Sequence, residues 1–290
     1  MKQLFISLLG GLGLVCCLQP EAKAQRQEFK EHLSKEFALP KGMNGVLALY
    51  NLRGALDVQG YDGDKVVIEI DEVISAKDTE KLEAGKREFK LAFQQTNDSI
   101  LVYIAEPYDS RPHRGWQDGD ENKRIEYEYR LEFTVKVPYH MNLDISTVMN
   151  GGITVKDVTG ALRVNNVNGP VVIRNAKGTT EARTINGNLT VNYAEVPPGE
   201  SIYYTMNGTL EVTYPASLSA DLQFKSMNGG FYTDFPNMEI LPVRVIKHVE
   251  KDGSATRYRL SMDKQVRIGN GGKLFRFETL NGNIYIKKQA

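Results

Sequence analysis

The chain has 290 residues, 41% hydrophobic and 25% charged, enough apolar material for a sizeable core. Lys plus Arg and Asp plus Glu both total 36, so the formal net charge is zero. That balance argues against the basic surface a nucleic-acid binder needs to displace phosphate counterions, and against simple electrostatic attachment to anionic lipid.

Residues 1–24 read as a secretory signal: Lys2 supplies the positive start, residues 4–18 form a short apolar run, and Ala22-Lys23-Ala24 offers an A-x-A cleavage site. Lipidation at Cys16 or Cys17 is the weaker reading, because Val15 stands where a small residue is usual. Both cysteines lie in this segment. A chain cut after Ala24 therefore has no disulfide, no thiolate metal site and no cysteine nucleophile. The expected location is the periplasm or the cell surface, with no membrane span in the mature chain.

Residues 25–36 form a polar leader in which Phe29 and Leu33 are spaced like one helical turn. Residues 37–140 make an N-terminal β region. Its Lys-, Glu- and Ala-rich stretch 76–88 predicts a short helix, and the alternating Phe89, Leu91 and Phe93 with 100–104 predict a hairpin. A polar loop over 106–122 holds Trp116, and Ile125, Tyr127, Tyr129, Leu131, Phe133, Val135 and Val137 then alternate with polar residues as in a half-buried strand.

Residues 141–290 are a repeat region. One phrase recurs as Asn150-Gly151, Asn168-Gly169, Asn186-Gly187, Asn207-Gly208, Asn228-Gly229 and Asn281-Gly282, with apolar residues at fixed offsets on both sides. Arg53-Gly54, followed by Leu56 and Val58, is a seventh copy with Arg in place of Asn. A hairpin over 243–262 interrupts the series. Asn and Gly both tolerate positive φ, so each phrase predicts a sharp change of direction.

Two all-β architectures fit. In an antiparallel meander or sandwich each phrase closes a hairpin; in a β-solenoid each is a corner, and equivalent strands stack in parallel. The small polar residue two before the Asn (Asn166, Thr184, Thr205, Ser226 and Thr279) suggests stacked ladders and favours the solenoid. A further apolar column precedes each Asn: Met149, Val167, Ile185, Met206, Met227 and Leu280. It is expected to be covered by another layer, and would mark a partner or self-association face if exposed.

These units, the ending Phe275-Arg-Phe-Glu-Thr-Leu-Asn-Gly-Asn-Ile-Tyr-Ile286 and the phrase from Leu52 to Asp64 resemble the putative-adhesin β-solenoid proteins exported by Bacteroidetes, a domain of unknown function. The resemblance implies an exported, non-enzymatic solenoid and supplies no catalytic residues.

Chemistry-bearing patterns are sparse. His32, His113, His140 and His248 show no metal-ligand spacing, and neither a nucleophile elbow nor a phosphate loop is present. The acidic run 118–122 fails as a calcium loop, since Lys123 stands where Gly is required, and Asp62 and Asp64 read as a solvated turn. No metal or cofactor is expected. The outward residues Arg163, Glu181, Arg183, Lys225, Arg276 and Glu278 interleave opposite charges like a paired wet face, which speaks against the clustered carboxylates of a carbohydrate-active enzyme. The candidate binding residues are Tyr108, Arg111, His113, Arg114 and Trp116, which gather aromatic and cationic groups in one long loop. The expected function is a non-catalytic adhesin, binding or scaffolding module of the cell envelope. Its partner would be a glycan or an envelope protein. Rival readings are a carbohydrate-active β-helix enzyme and an envelope-stress or signalling accessory.

Overall fold

The computed structural model describes residues 26–39, 45–112, 124–252 and 255–290, with the backbone alone for 243–252 and 255–263. Strands β1 (Gln27–Ala38), β2 (Val46–Tyr50), β3 (Leu56–Tyr61) and β4 (Lys65–Ala76) lead to helix α1 (Thr79–Glu88). After it come β5 (Lys90–Gln95), β6 (Ser99–Glu106) and β7 (Tyr127–Pro138). The repeats supply β8 (Asn142–Thr147), β9 (Ile153–Lys156), β10 (Leu162–Asn166), β11 (Val171–Ala176), β12 (Thr180–Asn186) and β13 (Leu189–Tyr193). They continue as β14 (Ser201–Asn207), β15 (Leu210–Tyr214), β16 (Ala220–Asn228) and β17 (Phe231–Thr233). A long hairpin, β18 (Met238–Asp252) and β19 (Ala255–Ile268), precedes β20 (Lys273–Asn281) and β21 (Ile284–Lys288).

The protein is all-β apart from α1, in two large mixed sheets that remain open. One has 10 strands in the order β1-β4-β7-β3-β9-β11-β13-β15-β21-β17; the other has 11, in the order β18-β19-β16-β20-β14-β12-β10-β8-β2-β6-β5. The strands flanking each Asn-Gly phrase lie in different sheets, so the phrase does not close a hairpin. Equivalent strands pair in parallel: Ile153, Val171, Leu189 and Leu210 stand in one row, and Thr184, Thr205 and Thr279 in another. The two sheets pack face to face over one core, which is also how a sandwich is layered.

Sequence order is not spatial order. The last repeat sits inside the stack, with β20 between β14 and β16 and β21 between β15 and β17. At the other end β6 and β7 form a rung parallel to β2 and β3, with no Asn-Gly phrase between them in the sequence. Antiparallel strands finish the sheets: β4 and β1 on the first, β5 at one end of the second and β19 and β18 at the other. Such caps are what a stack of like units needs at its ends.

Two local expectations change. The stretch assigned to a leader with helical spacing is mostly strand β1, paired with β4 along its length. A spacing of four residues is even, so Phe29, Leu33 and Phe37 share one face of a strand as readily as of a helix. The helix begins at Thr79 rather than at 76, because β4 runs on to Ala76 and the Asp78 side chain caps α1 by accepting from the Lys81 N–H at 2.9 Å. The predicted hairpins form, and so does the alternating strand from Tyr127 on, with Tyr127, Tyr129, Leu131, Phe133, Val135 and Val137 buried and Ile125 half-buried ahead of it.

Candidate functional site

The edge along which the Asn-Gly phrases stack is built from parallel columns. Exposed asparagine amides form the outermost one. Asn186 Nδ2 donates to Asn168 Oδ1 at 2.8 Å, Asn207 to Asn186 at 2.8 Å, Asn281 to Asn207 at 2.7 Å and Asn228 to Asn281 at 2.7 Å. Every bond points the same way, so the amide dipoles reinforce one another along the stack. An amide has two N–H groups and two lone pairs. An inner rung spends one of each on its neighbours and keeps one of each for solvent.

Behind the amides the glycines touch. A Cβ on Gly187 would stand 2.2 Å from Gly169 O, and one on Gly208 2.1 Å from Gly187 O. Among these asparagines only Asn150 has positive φ, at 60°. The expected positive φ holds at two of the phrase glycines, Gly54 (115°) and Gly208 (156°), and at the others close approach of rungs is the constraint. The small polar column bonds to the glycine carbonyls: Thr184 Oγ1 donates to Gly169 O and Thr205 Oγ1 to Gly187 O, both at 2.9 Å, and Asn166 Nδ2 to Gly151 O at 3.1 Å. Thr279 Oγ1 is buried and has no hydrogen-bond partner among the described residues.

Asn150 stands apart from the amide ladder. Its repeat carries an extra residue, so Thr147 (three before the Asn) donates to Gly54 O at 2.8 Å, and Met149 takes the backbone seat opposite Arg53. The left-handed turn at Asn150 absorbs the surplus. Asn51 fills the small polar position of the Arg53 copy and donates to Leu131 O at 3.1 Å.

The apolar column was expected to be covered. Instead Leu280 and Met227 are 37% and 75% exposed and Val167, Ile185 and Met206 half-buried, while Met149, 44% exposed, has slipped into the Asn seat and half-buried Val148 stands level with Val167. The strands these residues end alternate, and their inward faces are filled by the other sheet. This column therefore looks outward beside the amides. The edge as a whole is a polar ladder flanked by an apolar stripe.

Between β6 and β7, residues 107–112 and 124–126 are described. Ser110 Oγ receives the Ile104 N–H at 2.8 Å and donates to Tyr50 O at 2.7 Å, fixing the loop's start to two rungs. Arg111 turns back on its own loop: Nη2 reaches Asp109 Oδ2 at 2.6 Å, and the guanidinium lies 4.2 Å from the Tyr103 ring centroid. Hydrogen bonding to Asp109 raises its pKa further. Arg111 is thereby engaged within the protein, whereas Tyr108 is 43% exposed. His113, Arg114, Trp116 and the acidic run 118–122 lie outside the described residues.

No protein-family model and no curated protein matches the chain. Among solved structures it is similar to a "putative cell adhesion protein" from Clostridium sporogenes, with 12% identity and a TM-score of 0.44 over 89% of this chain and 100% of that one. A "putative adhesin" from Bacteroides fragilis aligns at 9% identity and TM-score 0.33, over 89% and 97% of the two chains. A "putative lipid binding protein" from Parabacteroides distasonis aligns at 8% and 0.28, again over 89% and 97%. Likeness this distant assigns no activity to the chain.

Outward charges on the 11-stranded sheet pair across rungs, and in one case, Arg183 with Glu181, along the same strand. Arg163 reaches Glu181 at 3.4 Å, Arg183 reaches Glu181 at 3.0 Å, Arg276 reaches Glu200 at 2.9 Å and Lys225 reaches Glu278 at 2.6 Å. No helix among the described residues is long and apolar enough to cross a membrane.

Proposed function

We propose that this chain is an exported, non-catalytic cell-envelope protein, built as a two-sheet β-solenoid whose Asn-Gly edge binds an envelope glycan. The solenoid is supported by parallel, in-register pairing of like positions in both sheets. Export is supported by the signal-like pattern of residues 1–24.

One observation carries the binding reading: the exposed amide ladder runs beside an exposed apolar stripe. Each inner rung offers a donor and an acceptor, repeated at the strand spacing of about 4.8 Å. A glycan chain matches this chemistry, with hydroxyls for the amides and pyranose C–H faces for Met206, Ile185 and Leu280. The paired charges on the adjoining sheet face fit a surface that remains in water.

The test is an array of bacterial envelope glycans probed with the mature chain and with Ile185→Lys/Met206→Lys. Retention without cleavage, reduced at least tenfold in the double variant, is the expected result. Release of shortened glycan would overturn the non-catalytic reading, and equal retention by the double variant would overturn the edge as the site. Protease treatment of intact cells separates the two locations: degradation places the protein at the surface, protection in the periplasm.

A further inference from the structure

At the end of the molecule where β1 and β5 are the outermost strands, the two sheets part around a cleft of about 440 Å³. Its walls mix apolar and charged side chains: Phe29 and Leu33 from β1, Ile74 from β4, Phe89 after α1, and Leu91 and Phe93 from β5 make the apolar part, and Glu31, Lys35, Glu72, Lys86 and Lys90 the charged part. This cleft is remote from the Asn-Gly edge in chain and in sheet position, and its chemistry is independent of the glycan reading.

One residue breaks the pattern of the wall. The inward positions of β4 are Val66, Ile68, Ile70, Glu72, Ile74 and Ala76, so a carboxylate occupies a core-facing seat. Glu72 is 7% exposed and lines the cleft. Among the described residues no hydrogen bond or ion pair holds its carboxyl. Directly opposite on β1 is Glu31, also lining the cleft. A fold gains nothing by setting two like charges across a strand pair and burying one without a partner. A cation arriving between them resolves both conflicts.

Three lysines line the cleft, Lys35, Lys86 and Lys90, and among the described residues none of them pairs with Glu72 or Glu31. Lys86 Nζ bonds Glu83 at 2.8 Å and lies 4.8 Å from the Phe29 ring centroid, and Lys35 Nζ lies 5.9 Å from that of Phe93. They show instead that these rings accept ammonium groups. Burial, with the charge of Glu31 added, pushes the Glu72 pKa up to about 7. A bound cation would hold the carboxylate ionised.

We propose that this cleft binds an organic cation, a primary ammonium on an apolar body, with Glu72 and Glu31 receiving the ammonium and the Phe29, Leu33 and Phe93 wall the apolar part. Free alkylamines and lysyl side chains share that chemistry. The ionisable groups facing Glu72 are Glu31 and Lys35 on β1, Lys86 on α1 and Lys90 on β5, while β7 sets Leu131 beside it.

The experiment titrates the mature chain with n-hexylamine, hexanol and hexanoate, followed by calorimetry and amide NMR shifts. Hexylamine is expected to bind saturably and at least tenfold more tightly than the other two. Its affinity should rise between about pH 6 and about pH 8, as Glu72 ionises while the amine stays charged. Glu72→Gln should lose at least tenfold in affinity and flatten that pH dependence; Glu31→Gln should lose less. Nα-acetyl-lysine methylamide distinguishes the sources: binding like hexylamine points to lysyl side chains, binding much weaker to free amines. Hexanol or hexanoate binding as tightly as hexylamine, an unchanged Glu72→Gln, or no saturable binding would each overturn the assignment.

Discussion

A methyl group on Gly187 would press against the Gly169 carbonyl at 2.2 Å, and that carbonyl belongs to backbone that cannot swing away. Gly187→Ala should therefore force neighbouring rungs apart and cost roughly 3 kcal/mol or more in urea unfolding. At Gly45 the nearest atom to an added Cβ is 3.4 Å away, so Gly45→Ala should stay within about 1 kcal/mol of the parent. Equal losses at the two sites would sink the close-approach account. The threonine column gives a second contrast. Thr205→Val leaves the Gly187 carbonyl without its side-chain donor and should cost about 1–2 kcal/mol, whereas Thr279 Oγ1 has no hydrogen-bond partner among the described residues, so Thr279→Val should be neutral or stabilising. Glu72 adds a pH signature. Its folded pKa of about 7 lies above its ordinary value of 4.5, so the folded chain binds more protons and stability falls as pH rises through that window. Glu72→Gln removes the fall. It should stabilise by about 1–2 kcal/mol at pH 8, a figure discounted for water in the open cleft, and by almost nothing below about pH 4.5. Thermal melts at both pH values check the sign.

At the scale of elements, the repeat code was legible because each of its positions is set by contact with the same position one rung away. Leu189 meets Val171 and Leu210, and like meets like. Asn51 and Asn150 were harder to read, since one fills a small polar seat and the other left the ladder through a one-residue surplus. Strand β1 was missed for lack of contrast: its partner face is charged, and its spacing serves two periods. Of the loop residues grouped in sequence, Arg111 is held by Asp109 two positions away, a pairing the aromatic and cationic composition did not mark. No repeat pattern marks Tyr193, Tyr203 and Tyr214 as a unit. The fold brings them together between the sheets, with Tyr193 and Tyr203 hydroxyls 2.6 Å apart and Tyr214 donating to Tyr203 at 3.1 Å. Burial raises all three pKa values, so they remain neutral. Tyr203→Phe removes the hydroxyl that both neighbours use. It should cost about 1–3 kcal/mol, more than Tyr214→Phe, as measured in denaturant unfolding.

For the whole molecule, the decisive feature is that the final repeat is an inner rung. β20 makes the parallel bonds of β14 on one side and β16 on the other, and β21 does the same for β15 and β17. Each rung of a stack is stabilised by its immediate neighbours. The segment from 201 to 233 therefore waits on the last residues of the chain for its continuity, a long-range closure of the kind that slows folding. A chain ending at Gly272 tests this. In a stack laid down in sequence order it would lose only an end rung. Here it loses the piece between two others, and the terminal aromatic contacts Tyr203–Phe277 and Tyr214–Phe275 go with it. Hydrogen exchange should show amides of β14 to β17 losing protection together, while β8 to β11, several rungs away, keep most of theirs. Because equivalent strands share one register, β16 has a competing option: docking directly on β14 in the seat β20 left. Retained protection in β14 to β17 would mean that the stack closed the gap, and that the order of rungs is set by chain connectivity rather than by the pairing preferences of individual strands.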